Sequence, residues 1–171
     1  DERLKMGAEK IENTNPLLDK RLINAFVDGV IKTLSSMAQT TVETGKPFIE
    51  NELSQRGSVA GLIGMVCGSM KGNLTISFEP QAAFTIINNM LGEMPASVDD
   101  SVADAVGELT NMIYGSAKTV LNQLGYAFQM AIPTVIRGDY KIVSYHKGAS
   151  LVIPFKLPDD SKFYIEITIQ P

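Results

Sequence analysis

The chain has one cysteine, one histidine and no tryptophan among its 171 residues. With Cys67 alone, no intramolecular disulfide can form, and its place in the apolar run from Leu62 to Cys67 suits a buried core thiol rather than a nucleophile. His146 falls in a turn, with no second histidine or cysteine spaced to complete a metal site, so it reads as an exposed turn residue. Basic blocks and basic stripes are missing and the net charge is −4, which argues against a nucleic-acid partner. No apolar run approaches the roughly 20 residues that span a bilayer. The charged first ten residues carry no apolar signal core, so the expectation is a cytoplasmic protein without a membrane partner.

What is present is a core-forming composition. Hydrophobic residues make up 44% and charged residues 20%, enough apolar side chain for one full domain. Residues 1–16 are polar, begin without Met and end in Asn13-Thr-Asn-Pro16. They read as a polar lead or an expression remnant ahead of a single domain at 17–171. Leu22, Ile23, Phe26, Val30, Ile31 and Leu34 recur at helical period, which predicts a helix over about 17–38, broken by Gly45-Lys-Pro47. A short strand is expected at Phe48 to Leu53. Two longer ones, Val59 to Cys67 and Leu74 to Phe78, would be joined by the loop Gly68-Ser-Met-Lys-Gly72.

Pro80 opens a second helix that ends at Leu91, ahead of Gly92. A third starts near Ser97-Val-Asp-Asp100, a capping-box-like segment, and runs to about Leu124 before Gly125. The remainder is strand-like: Phe128 to Arg137, Tyr140 to Tyr145, Ser150 to Leu157 and Phe163 to Ile169. Turns at His146-Lys-Gly148 and Pro158-Asp-Asp-Ser161 link the last three. Each half thus runs long helix, extended segment, hairpin. The expected class is α+β, an antiparallel sheet with long helices packed on one face and pseudo-duplicated α-β-β-β halves.

The third helix holds the most informative pattern. Asp104, Glu108 and Asn111 stand at i, i+4 and i+7, so they share one face. Val102, Val106, Leu109, Ile113, Val120 and Leu124 form the opposite, buried face. The acids and the amide therefore line an outward stripe. Gly107 and Gly115 lie on or beside it, and each weakens the helix by roughly 1 kcal/mol relative to Ala. Such glycines fit either close packing on a neighbouring strand or a surface shaved for another protein's backbone. Their place on the polar side favours the second reading. By spacing alone, Glu-x-x-Asn is a weak motif that a solvated helix face would also explain.

Asp104-x-x-x-Glu108-x-x-Asn111, followed by Pro133 in the next extended segment, resembles the signature of the CheC/CheX/FliY chemotaxis phosphatases. Gly107-Glu-Leu-Thr-Asn-Met112 and Pro133-Thr-Val135 are most similar to the CheX branch. The resemblance covers nearly the whole chain from about residue 18, including Asn24, Gly45-Lys-Pro47 and Gly72-Asn-Leu74. CheC-type members carry one Glu-x-x-Asn site per half. Here Asn24 has Arg21, not Glu, three residues before it, which matches the single-site pattern.

The resemblance implies a hydrolase that removes the aspartyl phosphate of a CheY-like response regulator. Asn111 would orient the attacking water and Glu108 would pair with the receiver's active-site lysine. Asp104, Gly107, Gly115 and Pro133 would have supporting roles. It also implies no cofactor or metal on this chain, magnesium being carried by the receiver, and a homodimer. The alternating segment Phe163 to Ile169 is a candidate free sheet edge. Two rival readings stand beside this one: a non-catalytic chemotaxis or flagellar-switch module that binds a receiver, and a small-ligand-binding α+β domain.

Overall fold

A computed structural model of the chain describes residues 16–51, 54–140 and 148–170. After a single 3-10 turn, Pro16–Leu18, the elements run α1 (Lys20–Ala38), β1 (Glu43–Thr44), β2 (Phe48–Glu50), β3 (Val59–Cys67), β4 (Met70–Phe78), α2 (Pro80–Leu91), α3 (Asp100–Gln123), β5 (Thr134–Arg137), β6 (Ser150–Lys156) and β7 (Lys162–Gln170). The expected strand at Tyr140 to Tyr145 and the turn around His146 fall largely outside the described residues.

The α+β expectation holds. The strands form an antiparallel sheet in the order β1-β6-β7-β4-β3-β5, with β2 also paired to β6. At its centre β4 and β7 pair from Lys71↔Gln170 to Phe78↔Phe163. The halves are interleaved around this pair: β2, from the first half, joins the second half's hairpin through β6, and β5, from the second half, joins the first half's hairpin through β3. Alternate residues Ile63, Leu74, Ile76, Ile165, Ile167 and Ile153 are buried in the one core that also takes the apolar stripes of the helices. Phe155, Phe163 and Phe78 are register neighbours across β6, β7 and β4, and their rings stack at 5.0 and 5.2 Å.

Each helix is stopped and started by local chemistry. Asp19 caps α1 by accepting from the Arg21 N–H at 2.9 Å, and also receives the Tyr126 hydroxyl at 2.9 Å. Burial pushes the Asp19 carboxyl up, but the bonds from Arg21 and Tyr126 outweigh it and hold it below its ordinary value. Gln39, in the left-handed conformation, ends α1 well before Gly45-Lys-Pro47. Pro80 and Gly92 bound α2 as expected. Helix α1 crosses α3 at Gly29, where a Cβ would lie 3.2 Å from the Ile113 carbonyl oxygen.

Two expectations about the sheet are corrected. The β3–β4 connection is the two-residue turn Gly68-Ser69, with Gly68 at φ 61, rather than a five-residue loop, because the strand pairing begins at Cys67↔Met70. Strand β7 is not an edge, since β4 and β6 flank it on both sides. Alternating hydrophobicity reports a buried face; it says nothing of whether the backbone along the strand is paired.

On the sheet face away from the helices, Arg56 lies over the rings of Phe48 and Tyr164 and pairs with Glu50 and with the buried Glu166, the latter at 3.0 Å. Burial pushes the Glu166 carboxyl up, Arg56 opposes this, and Glu50 adds to it. A raised carboxyl pKa means that folding favours the protonated form, so the stability this group contributes is present at low pH and lost as pH rises through its folded pKa. Arg56→Met removes the opposing cation and should destabilise the fold by about 3 kcal/mol at neutral pH. The deficit should shrink as pH falls into the carboxylate range. Urea unfolding across that range checks it; a deficit independent of pH would contradict the account.

Candidate active site

Helix α3 starts within the expected Ser97-Val-Asp-Asp100 segment, with Asp99 as its cap. Its carboxylate accepts from the Val102 N–H at 3.0 Å and from the Ser101 hydroxyl at 2.7 Å, and Asp100 adds a second acid in the first turn. Hydrogen bonding from Ser101 and Val102 holds the Asp99 carboxyl below its ordinary value. The buried line is Val102, Val106, Leu109, Ile113, Ala117 and Leu121. Val120 and Leu124, expected on that line, are 41% and 37% exposed. Past Leu109 the contact follows an i, i+4 row, the ridge that meets α1 at the Gly29 crossing, and this row drifts away from Val120.

Asp104, Glu108 and Asn111 all face solvent, as the spacing predicted. Among the described residues, none of their side chains is tied into a hydrogen bond or an ion pair. The stripe is two carboxylates and an amide held on a rigid helix with all polar valences free. Helix α1 shows no equivalent: Arg21, three residues before Asn24, is bound to Asp19 at 2.9 Å.

The chain that follows α3 turns back and runs antiparallel along it. Asn122 clamps Phe128 through both backbone groups, at 2.8 and 3.1 Å. The Tyr114 hydroxyl donates to the Gln129 carbonyl at 2.6 Å. Farther on, Val135 stands against Gly107, and Arg137 reaches Asp100. Pro133 falls in sequence between Gln129, which Tyr114 holds, and Val135, which meets Gly107. Residues 128–137 were expected as one strand. Only Thr134–Arg137 pairs into the sheet, with β3, after an isolated bridge between Cys67 and Phe128. The start of the segment is tied both to β3, through that bridge and the Gln129 N–H donating to the Val66 carbonyl at 3.0 Å, and to α3, through Asn122 and Tyr114; regular pairing resumes only at Thr134.

The two glycines divide. A Cβ on Gly107 would meet Val135 Cγ2 at 3.2 Å, so this glycine is close-packed on β5, contrary to the docking-surface reading. A Cβ on Gly115 would meet nothing within 4 Å, and that position lies open beside the stripe. Sequence reasoning missed Met130 and Ile132, each 90% exposed on the segment flanking α3. Both fall within Phe128 to Arg137, which the sequence reads as a strand. Among the described residues, no group of three or more His, Cys, Asp or Glu is placed to hold a metal ion, and no helix is long and apolar enough to cross a membrane.

An antiparallel sheet with paired long helices, one displaying a free acid–acid–amide stripe, defines a CheC-like α+β domain. A CheC-like superfamily protein from Shewanella sp. PV-4 superposes with a TM-score of 0.83 at 40% identity, covering 90% of this chain and 100% of that one. The family described as chemotaxis phosphatase CheX matches residues 59–156, more than half the chain, and the chain belongs to that family. The CheY-P phosphatase CheX of Thermotoga maritima is 29% identical over 155 residues, spanning 90% of this chain and 98% of that protein. A CheX-CheY-BeF3-Mg+2 complex from Borrelia burgdorferi contains a chain with a TM-score of 0.72 and 26% identity, covering 87% of this chain and 97% of its own.

Asn122→Ala removes both bonds to Phe128 and should destabilise the fold by about 1–2 kcal/mol, the usual cost of unpaired half-buried backbone groups. The urea midpoint measures this. An unchanged midpoint would show that the segment is held by other means.

Proposed function

We propose that this chain is a phosphatase that removes the aspartyl phosphate of a CheY-like response regulator. The observation that carries the reading is the exposed, unpaired stripe Asp104, Glu108 and Asn111 on a chain of the CheX family. The Thermotoga and Borrelia relatives support the substrate, since one is named for CheY-P and the other is in complex with CheY.

The chemistry asks little of this protein. Water attacks phosphorus, the bond between phosphorus and the acyl oxygen breaks, and the aspartate carboxylate leaves with inorganic phosphate as the other product. The receiver's metal ion and lysine already neutralise most of the charge on the phosphoryl group. What remains is to hold a water in line, and positioning alone lowers such a barrier by several kcal/mol. The Asn111 amide both donates and accepts, so it fixes a water's direction without needing to take its proton. Glu108 makes a charge-assisted pair with the receiver's lysine. Asp104 and Pro133 border these two and support the docked geometry. Magnesium enters with the receiver, and the reaction is cytoplasmic because its substrate is.

Asn111→Ala should lower the rate of receiver dephosphorylation by roughly 100-fold or more. The fold should survive, because the residue is exposed. Glu108→Lys should weaken receiver binding through like-charge repulsion. Phosphate release from the phosphorylated receiver, with calorimetric affinity alongside, reads both. Normal turnover by Asn111→Ala would sink the mechanism. A wild-type protein that binds the receiver without speeding phosphate loss would establish the scaffold alternative instead.

The homodimer is the second part of the reading. It is supported by β5, which among the described residues pairs only with β3, and by the bare side chains of Met130 and Ile132 just before it. A second copy aligned on this edge would pair backbone that carries no partner among the described residues and cover both side chains. Light scattering should give a dimer mass, and the Met130→Ser/Ile132→Ser double variant should shift it toward monomer. A monomer for the wild type at high concentration would refute the dimer.

A further inference from the structure

Helix α3 meets the sheet through a reciprocal contact of four residues. On β3, Gly61 leaves a gap that Thr110 fills: a Cβ at Gly61 would lie 1.9 Å from Thr110 Oγ1 and 2.7 Å from its Cβ. On α3, Gly107 leaves a gap that Val135 of β5 borders at 3.2 Å. Gly61 and Val135 are direct register partners across β3 and β5. Gly107 and Thr110 are three apart on the helix, so they share the face turned to that strand pair. Each surface thus presents one knob and one hole, and the knob of each fits the hole of the other. Thr110 is fully buried, and its hydroxyl is fixed by donating to the Val106 carbonyl at 2.7 Å.

The residue after Gly107 is Glu108, and the residue after Thr110 is Asn111. Both exposed side chains are one step round the helix from the contact. A helix can slide, roll or rise on a smooth apolar sheet at small cost, but this seat opposes all three. Translation drives Thr110 off the glycine and into a neighbouring Cβ, and roll drives Val135 into the helix backbone. We propose that the Gly61–Thr110 and Val135–Gly107 pair is a positioning device that sets the height and rotation of Glu108 and Asn111 on the docking face. The four seat residues act through those two side chains and touch no substrate themselves. The inference rests on the phosphatase reading, because the readout is the reaction.

Gly107→Ala is the informative variant. It replaces an interior helix glycine with the best helix former, so Tm should stay level or rise. The new methyl would meet Val135 Cγ2 at 3.2 Å, a few tenths of an ångström too close, and on this proposal it is the helix rather than Val135 that gives way. Against a penalty near 100-fold for an ångström of misplacement, kcat should fall by about tenfold, with KM for the phosphorylated receiver little changed. Adding Val135→Ala removes the clashing methyl and should restore most of kcat. Gly61→Ala should lower kcat further, and Thr110→Gly should partly rescue it. If Gly61→Ala fails to fold, the Gly107→Ala and Val135→Ala series still decides. A Gly107→Ala protein with wild-type kcat, or one whose loss Val135→Ala does not reverse, overturns the proposal. A wild-type protein that leaves the receiver's phosphate in place overturns the phosphatase reading and the seat's role with it.

Discussion

The β4–β7 ladder is the constraint on which the rest of the structure depends. It joins the two halves along an unbroken run of register pairs from Lys71↔Gln170 to Phe78↔Phe163. Because the outer short strands β2 and β5 each pair with the other half's hairpin, neither half completes its sheet alone. The Phe155–Phe163–Phe78 stack crosses this seam in register, so packing and hydrogen bonding specify the same alignment. A slip of one residue would move the slipped strand's apolar set from the core face to the opposite face.

That interleaving is also what presents α3. The helix belongs to the second half, yet the strands it sits on are β3 from the first half and β5 from the second. Its outer face is therefore carried on a surface made jointly by both halves, and on the other flank α1 packs close through Gly29. A helix held on two sides can leave a third bare. The exposed stripe needs no partner of its own for stability, so its polar groups remain available to a docking protein.

Much of this was legible because the signals were local. Pro80 and Gly92 set the ends of α2, and the apolar run from Val59 to Cys67 set β3 without error. The stripe at Asp104, Glu108 and Asn111 followed from helical period alone. What failed depended on distant partners. Sequence period could not show that Gly107 meets Val135, 28 positions away, or that β7 is flanked on both sides. The segment after α3 was misread for a related reason. Phe128 and Gln129 touch β3 and are also tied to α3 by Asn122 and Tyr114, and no alternation pattern records those side-chain bonds.

The two glycines on α3 show why residue type alone misassigns a role. Both carry the same helix penalty, yet Gly107 is packed on β5 and Gly115 is bare. Gly107 is intelligible only with Gly61, Thr110 and Val135, as one hole of a paired fit. Gly115 has no such complement, and the open space at its Cα is what remains after packing has explained all it can. The penalty at Gly107 is thus assigned to the geometry of the helix on its sheet. The penalty at Gly115 is not matched by any packing contact within the fold.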